Sequence, residues 1–208
     1  MNIIIFGSTG SVGRHIVEQA LEQNHRVTAF ARNPNKLDIT HKNLTLVSGD
    51  VYDKTAVAKA VEGHDAALIT LGSAKLTGDL RSTGTRNIVK AMRHHRVERL
   101  ICQTTLGAGD SIDNLNFLWR YVIFALPLRF VMKDHLIQEE IVKNSNLDWT
   151  IVRPSAFTDK EVAHNYKHGF QPNYKGLELN ISRTKVAEFM LNNLKDNSYL
   201  YQTPGLSY

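Results

Sequence analysis

The chain has 208 residues, 42% of them hydrophobic and 22% charged, with a formal net charge of +5. That length and balance fit one folded domain, 1–208, with a core of its own, and exclude a disordered segment. The basic residues are scattered apart from Arg93-His94-His95-Arg96, so the charge suits polyanionic small molecules, and no nucleic-acid partner is expected.

The run Asn2–Phe6 reads as a buried strand. It starts without a basic leader or a long apolar segment, the pattern of a cytoplasmic protein. Gly7-Ser8-Thr9-Gly10-Ser11-Val12-Gly13 follows and leads into an amphipathic helix over Ser11–Gln23. Glycines spaced by three between a strand and a helix let a pyrophosphate approach free backbone N–H groups at the positive end of the helix dipole. The turn therefore predicts a nicotinamide dinucleotide cofactor, provided that its neighbours supply the rest of a site.

The second strand, Arg26–Phe30, ends in Ala31-Arg32-Asn33-Pro34-Asn35-Lys36, with no carboxylate to take the 2′-hydroxyl of an adenosine ribose. Arg32 can instead pair with a 2′-phosphate and Lys36 can add a second positive charge, which predicts NADPH. The third strand, Leu44–Val47, leads to Asp50, placed to accept from an adenine amino group, and Val51, placed to pack on the ring. A helix over Lys54–Val61 and a strand over Ala66–Thr70 come next. Leu71-Gly72-Ser73 then offers backbone that a cofactor can approach closely.

A helix over Gly78–His95 precedes the fifth strand, Arg99–Gln103, which contains the single cysteine, Cys102. One cysteine excludes an internal disulfide and a multi-cysteine metal site, and its apolar strand makes it a small buried side chain. The histidines show no ligand spacing, so no metal is expected. Thr104 and Thr105 end this strand near the expected nicotinamide. Thr105 is the candidate catalytic side chain, orienting a carboxamide or an acceptor atom, although a threonine at a strand end can equally satisfy backbone.

Residues 104–130 form an apolar insertion beside the expected substrate pocket. Arg120, Pro127 and Arg129 interrupt it, so it is far too short between charges to cross a bilayer. A buried helix, a cover over the pocket and a subunit contact remain open for it, with docking to a membrane surface a lesser option. Monomer and homodimer remain equally open. A helix over Val131–Ser145 carries His135, a candidate to contact the cofactor or relay a proton, or else a core or capping histidine kept charged by Asp134. A strand over Trp149–Val152, a helix over Ser182–Leu194 and a last strand near Tyr199–Gln202 complete an alternating pattern. It predicts a doubly wound, mostly parallel sheet with helices on both faces.

Several of these stretches together resemble the atypical short-chain dehydrogenase/reductases, the NmrA-like and biliverdin-IXβ/flavin reductase groups. They are Ile5–Gly13, Val27–Asn33, Ser48–Val51, Gly84–Val89, Lys133-Asp134-His135, Leu147–Pro154 and Ile181-Ser182-Arg183. The resemblance runs from end to end and implies a Rossmann-type fold. It also implies Thr9, Gly10, Val12, Arg32, Asp50, Gly72, Thr105, His135, Ser155 and Ala156 around the cofactor, and Pro154, next to this pair, is a further candidate for the cofactor site. Most of the wider superfamily uses a tyrosine with a lysine four positions later, and none of the seven tyrosines has one. The expected chemistry is hydride transfer from NADPH to a planar small-molecule acceptor that needs little protein acid: a flavin, biliverdin or a quinone. The alternative is an NmrA-like redox sensor or assembly factor that holds NADP without turnover. An epimerase or dehydratase would need a tyrosine from elsewhere, such as Tyr121 or Tyr166.

Overall fold

A computed structural model describes residues 1–73, 75–123, 128–160, 162 and 165–208, with backbone alone at 122 and 123. The strands are β1 (Asn2–Phe6), β2 (Arg26–Ala31), β3 (Leu44–Ser48), β4 (Ala66–Ile69), β5 (Arg99–Gln103), β6 (Asp148–Pro154), β7 (Ala156–Thr158), β8 (Lys167–His168), β9 (Asn180–Ser182) and β10 (Gly205–Ser207). The α-helices are α1 (Gly13–Glu22), α2 (Lys54–Val61), α3 (Leu80–His95), α4 (Arg129–Lys143) and α5 (Arg183–Asn192).

Eight strands form one sheet in the order β3-β2-β1-β4-β5-β6-β10-β8, and β7 pairs with β9 beside it. Every pairing is parallel except β8 with β10. Alternation along β1 divides the core. Ile3 and Ile5 pack with Ile16 and Val17 of α1 and Val186 and Met190 of α5, whereas Ile4 and Phe6 pack with Val57 of α2, Ile88 and Met92 of α3 and Val142 of α4. A strand buried on both faces reads as a continuous apolar run, and that is how β1 reads. The chain reverses direction across the sheet between β1 and β4, where doubly wound sheets open a crevice at the carboxyl ends of their strands.

The predicted doubly wound α/β fold is the observed one, with corrections at several element ends. The last strand is Gly205–Ser207, not Tyr199–Gln202. Gln202 and Pro204 already accept from Ile151 and Arg153 N–H groups of β6, but Pro204 has no N–H to return, so regular pairing starts one residue later. Helix α3 begins at Leu80, because Gly78 has a φ of +118° that no helix accommodates. Helix α4 begins two residues before the predicted Val131. The apolar insertion is a 3₁₀ turn at Gly109–Asn114 and a π-helical turn at Leu118–Ile123, with residues 124–127 outside the described ones.

Candidate functional site

The glycine turn is shaped by close backbone approach. Gly7 has a φ of +84°, and a Cβ there would sit 2.5 Å from the Thr70 carbonyl oxygen of the neighbouring strand end. A Cβ on Gly13 would collide with the Gly7 carbonyl, so glycine is what lets α1 start against the turn. The N-terminus of α1 has no side-chain cap. Among the described residues the Ser11 and Val12 N–H groups have no intramolecular partner, and both residues line a cavity.

That cavity has a volume of about 530 Å³ and runs along the carboxyl ends of the parallel strands. Gly7, Thr9, Gly10, Ser11 and Val12 line it from the turn, Arg32 from β2, Asp50 and Val51 from the loop after β3, and Leu71 and Gly72 from the loop after β4. Thr104, Thr105, His135, Pro154, Ser155 and Ala156 line the other side. Four predicted residues stand apart from the wall. Ser8 is buried and its hydroxyl donates to the Phe30 carbonyl at 3.2 Å, and Gly13 serves packing. Lys36 is exposed on a 3₁₀ turn over Pro34–Leu37, while Ser73 Oγ accepts from the Lys75 N–H. Lys36 is not among the lining residues, so of the predicted pair of positive charges Arg32 alone is on the wall.

The wall fits a dinucleotide on two structural grounds. A Cβ on Gly72 would meet no protein atom within 4 Å, so the room left there is not used for packing. Gln103 Oε1 and Ser155 Oγ are buried without hydrogen-bond partners among the described residues, and both residues line the cavity beside Thr105. Buried polar groups are nearly always paired, so two orphans on one wall indicate a polar group that docks there. Gln103 was missed by the sequence reading, because a glutamine at a strand end carries no pattern of its own.

The two threonines have different roles. Thr104 Oγ1 donates to Glu139 Oε1 at 2.9 Å and is committed to the core, whereas Thr105 Oγ1 reaches only its neighbour's carbonyl, that of Leu106, at 3.3 Å. Behind them lies a buried ion pair. Arg153 Nε donates to Glu139 Oε1 at 2.8 Å and Nη2 to Oε2 at 2.7 Å, while Nη1 reaches Asp110 Oδ1 at 2.6 Å. Burial alone would raise the Glu139 carboxyl, but the Arg153 guanidinium, together with Lys143 and the Thr104 hydroxyl, more than offsets it and holds the group below the usual range.

His135 is buried, with Nδ1 3.2 Å from Gln138 Oε1. Burial and the nearby Arg81 guanidinium lower its pKa to about 4, so it is neutral near pH 7. This corrects the expectation that Asp134 keeps it charged. Asp134 is engaged elsewhere: its two carboxylate oxygens accept the Arg81 and Ser82 N–H groups at 3.0 Å each, capping α3 from another helix.

The apolar insertion is a wall and an outer surface at once. Leu115, Trp119 and Leu128 line the cavity, whereas Phe117 is 73% exposed, Leu118 56% and Tyr121 54%. The simple buried helix is therefore corrected: a π-helical turn places Trp119 inward and its neighbours outward. No tyrosine is among the described residues lining the cavity. Tyr166 packs near Phe189 of α5, its phenol pushed up to about 12 by burial and then by Glu188. Cys102 is fully buried, its thiol pushed up by burial and by Glu139. Among the described residues no cluster suits a metal ion and no helix is long and apolar enough to cross a membrane.

A family model described as NAD(P)H-binding matches residues 7–197. The chain is 36% identical over 128 residues to a 3-beta-hydroxysteroid dehydrogenase of Mycolicibacterium neoaurum, covering 54% of this chain and 35% of that protein. It spans under half the length of that protein and of another curated relative. Among solved structures, a short-chain dehydrogenase/reductase of Veillonella parvula in complex with NADP superposes with a TM-score of 0.83 at 17% identity, over 100% of this chain and 94% of that one. ChuY, an anaerobillin reductase of Escherichia coli O157:H7, superposes with a TM-score of 0.80 at 22% identity, over 100% and 97%.

Proposed function

The chain belongs to the NAD(P)H-binding family, and on that premise we propose that it is an NADPH-dependent reductase that passes hydride to a flat, conjugated acceptor such as a flavin, a linear tetrapyrrole or a quinone. The observation that carries this reading is the division of one cavity into a polar end and an apolar end. The glycine turn, Arg32 and Asp50 stand at the first, and Leu106, Leu115, Trp119 and Leu128 at the second, with no tyrosine on the wall. Its volume suits a cofactor's reactive end with a planar ligand beside it. The acceptor chemistry is of the same broad kind as the one ChuY is named for.

When bound, NADPH supplies the hydride. The residues of this chain bind, orient and exclude water. Ser11 and Val12 N–H groups and the dipole of α1 receive the pyrophosphate. Arg32 takes the 2′-phosphate and Asp50 and Val51 the adenine. Gln103 Oε1 and Ser155 Oγ give the carboxamide its partners, and Thr105 Oγ1 stands beside the acceptor. Thr105 and a neutral His135 are weak acids, so acceleration rests on proximity and stacking, which suits an acceptor that takes its proton from water. Leu115, Trp119 and Leu128 supply the stacking and apolar wall.

NADPH consumption with FMN, biliverdin and a naphthoquinone dye tests this. Turnover above the protein-free rate is expected with at least one of the three. Bound NADPH with no turnover on any of them would overturn the reductase and leave the non-catalytic NADP-binding reading.

A further inference from the structure

Arg81 has no place in the dinucleotide scheme, yet it lines the same cavity. It sits in the first turn of α3, where its side chain is only 11% exposed. Its nearest carboxylate, Asp134, already takes two backbone N–H groups, and Arg81 Nη1 stays 3.7 Å from Oδ2, beyond a charge-assisted hydrogen bond. Its Nε is buried without a partner among the described residues. A guanidinium withdrawn from water with one long ion pair, to Asp134, and a buried Nε without a partner among the described residues has donors left for a ligand to complete.

The rest of the wall says which ligand. Among the described residues Arg32 and Arg81 are the arginines that line the cavity, and they arise on different elements, the end of β2 and the start of α3. His135, adjacent to Arg81, is neutral and adds no positive charge near pH 7. Leu80, Leu106, Leu115 and Leu128 supply the apolar part of the wall at this end, and Thr105 adds an uncharged hydroxyl. An apolar slot with one under-paired guanidinium is complementary to a flat apolar body bearing a single anionic group, and the planar fork of arginine matches a carboxylate.

We infer that Arg81 is an anion-recognition residue of the acceptor site, and that the acceptor is a planar conjugated molecule bearing a carboxylate. This rests on the reading of the cavity as a reductase site, but binding tests it without turnover. The NADP⁺-loaded protein is titrated with anthraquinone-2-carboxylate and with its methyl ester, two probes of the same ring system that differ in charge, by calorimetry. The acid is expected to bind about tenfold to a hundredfold more tightly than the ester, the range of one or two charge-assisted hydrogen bonds. Arg81→Met should remove that preference while leaving the affinities for the ester and for NADP⁺ within about twofold, and Arg81→Lys should retain part of it. Should Arg81→Met fail to fold, the wild-type ratio and Arg81→Lys decide. Equal binding of acid and ester by the wild-type protein would overturn the inference and leave the planar-acceptor reading standing. Loss of NADP⁺ affinity with Arg81→Met, equal to the loss of acid affinity, would assign Arg81 to the cofactor and overturn it too. Failure of both probes to bind would remove this inference and the planar slot together.

Discussion

At the ends of β1 and β4 the cavity wall is made of backbone at Gly7, Gly10 and Gly72, with Gly7 held against Thr70 and against the start of α1. At the ends of β5 and β6 it is made of side chains braced from behind, where Arg153 ties Glu139 of α4 to Asp110 of the 3₁₀ turn and Thr104 of the strand end joins the same carboxylate. The first region is fixed by steric limits on the backbone, between Gly7 and Gly13 and between Gly7 and Thr70. The second depends on charges buried together, so it is the more sensitive to losing a single group, and it also carries the insertion whose outer face is exposed.

The largest effect that would sharpen this contrast comes from Arg153, among the most deeply buried side chains of the molecule. Arg153→Met leaves Glu139 buried with only Lys143, at 3.2 Å, as a charged partner. The expected loss is about 3–5 kcal/mol of stability, measured by urea unfolding. A double variant, Arg153→Met with Glu139→Leu, should recover much of that loss, because no buried charge is then left unpaired. If the single variant is as stable as the wild type, the side-chain half of the wall is not braced in this way.

His135 gives the next effect. Its pKa is 6.5 unfolded and about 4 folded, so the unfolded chain binds a proton first as pH falls. Stability is complete above about pH 6.5 and is lost progressively down to about pH 4, by about 3 kcal/mol at most. His25, also lowered chiefly by burial, contributes with the same sign, so the comparison must be with His135→Gln, whose stability profile should be flatter over that window. Glu139 and Asp110, held low mainly by Arg153 against the cost of burial, lose their contribution only at more acid pH, as each carboxyl protonates in the folded state. Identical profiles for wild type and His135→Gln would mean that His135 takes up its proton as readily in the folded protein as in the unfolded chain.

What the sequence made legible follows the same division. The glycine turn, Arg32 and the strand-end residues Asp50 and Gly72 could be placed because β-strand alternation and glycine spacing are local rules. Ser8, Gly13, Lys36 and Ser73 fell off the wall through details just as local, a hydroxyl turned to Phe30 and a 3₁₀ turn after Pro34 among them. The Glu139–Arg153 pair and the Asp134 cap on α3 are long-range, and no spacing announces them. The one available signal was an arginine inside the otherwise apolar Trp149–Pro154 run, which had to find a buried partner. Trp119 was hidden for a different reason: in a π-helical turn the inward position does not follow a period of 3.6, so an apolar run there does not show which side chain faces the cavity.

The smallest of these effects bears on the backbone half, where Arg32, the proposed partner of a 2′-phosphate, is an exposed side chain. Arg32 leaves β2 facing the cavity, and Ser48 Oγ donates to its carbonyl at 3.3 Å, so the residue is held through its backbone and the guanidinium is left to a ligand. Lys36 is off the wall, so the proposed preference for NADPH over NADH rests on this one side chain. Arg32→Asp should therefore weaken NADPH binding by about tenfold to a hundredfold relative to NADH, since a charge-assisted pair becomes a repulsion, and should leave the unfolding transition within about 0.5 kcal/mol of the wild type. The ratio of the two dissociation constants in wild type and variant checks it. An unchanged ratio would move phosphate recognition away from β2. The glycine turn would then hold a dinucleotide with no means of telling its two forms apart, and the backbone half would carry affinity without cofactor choice.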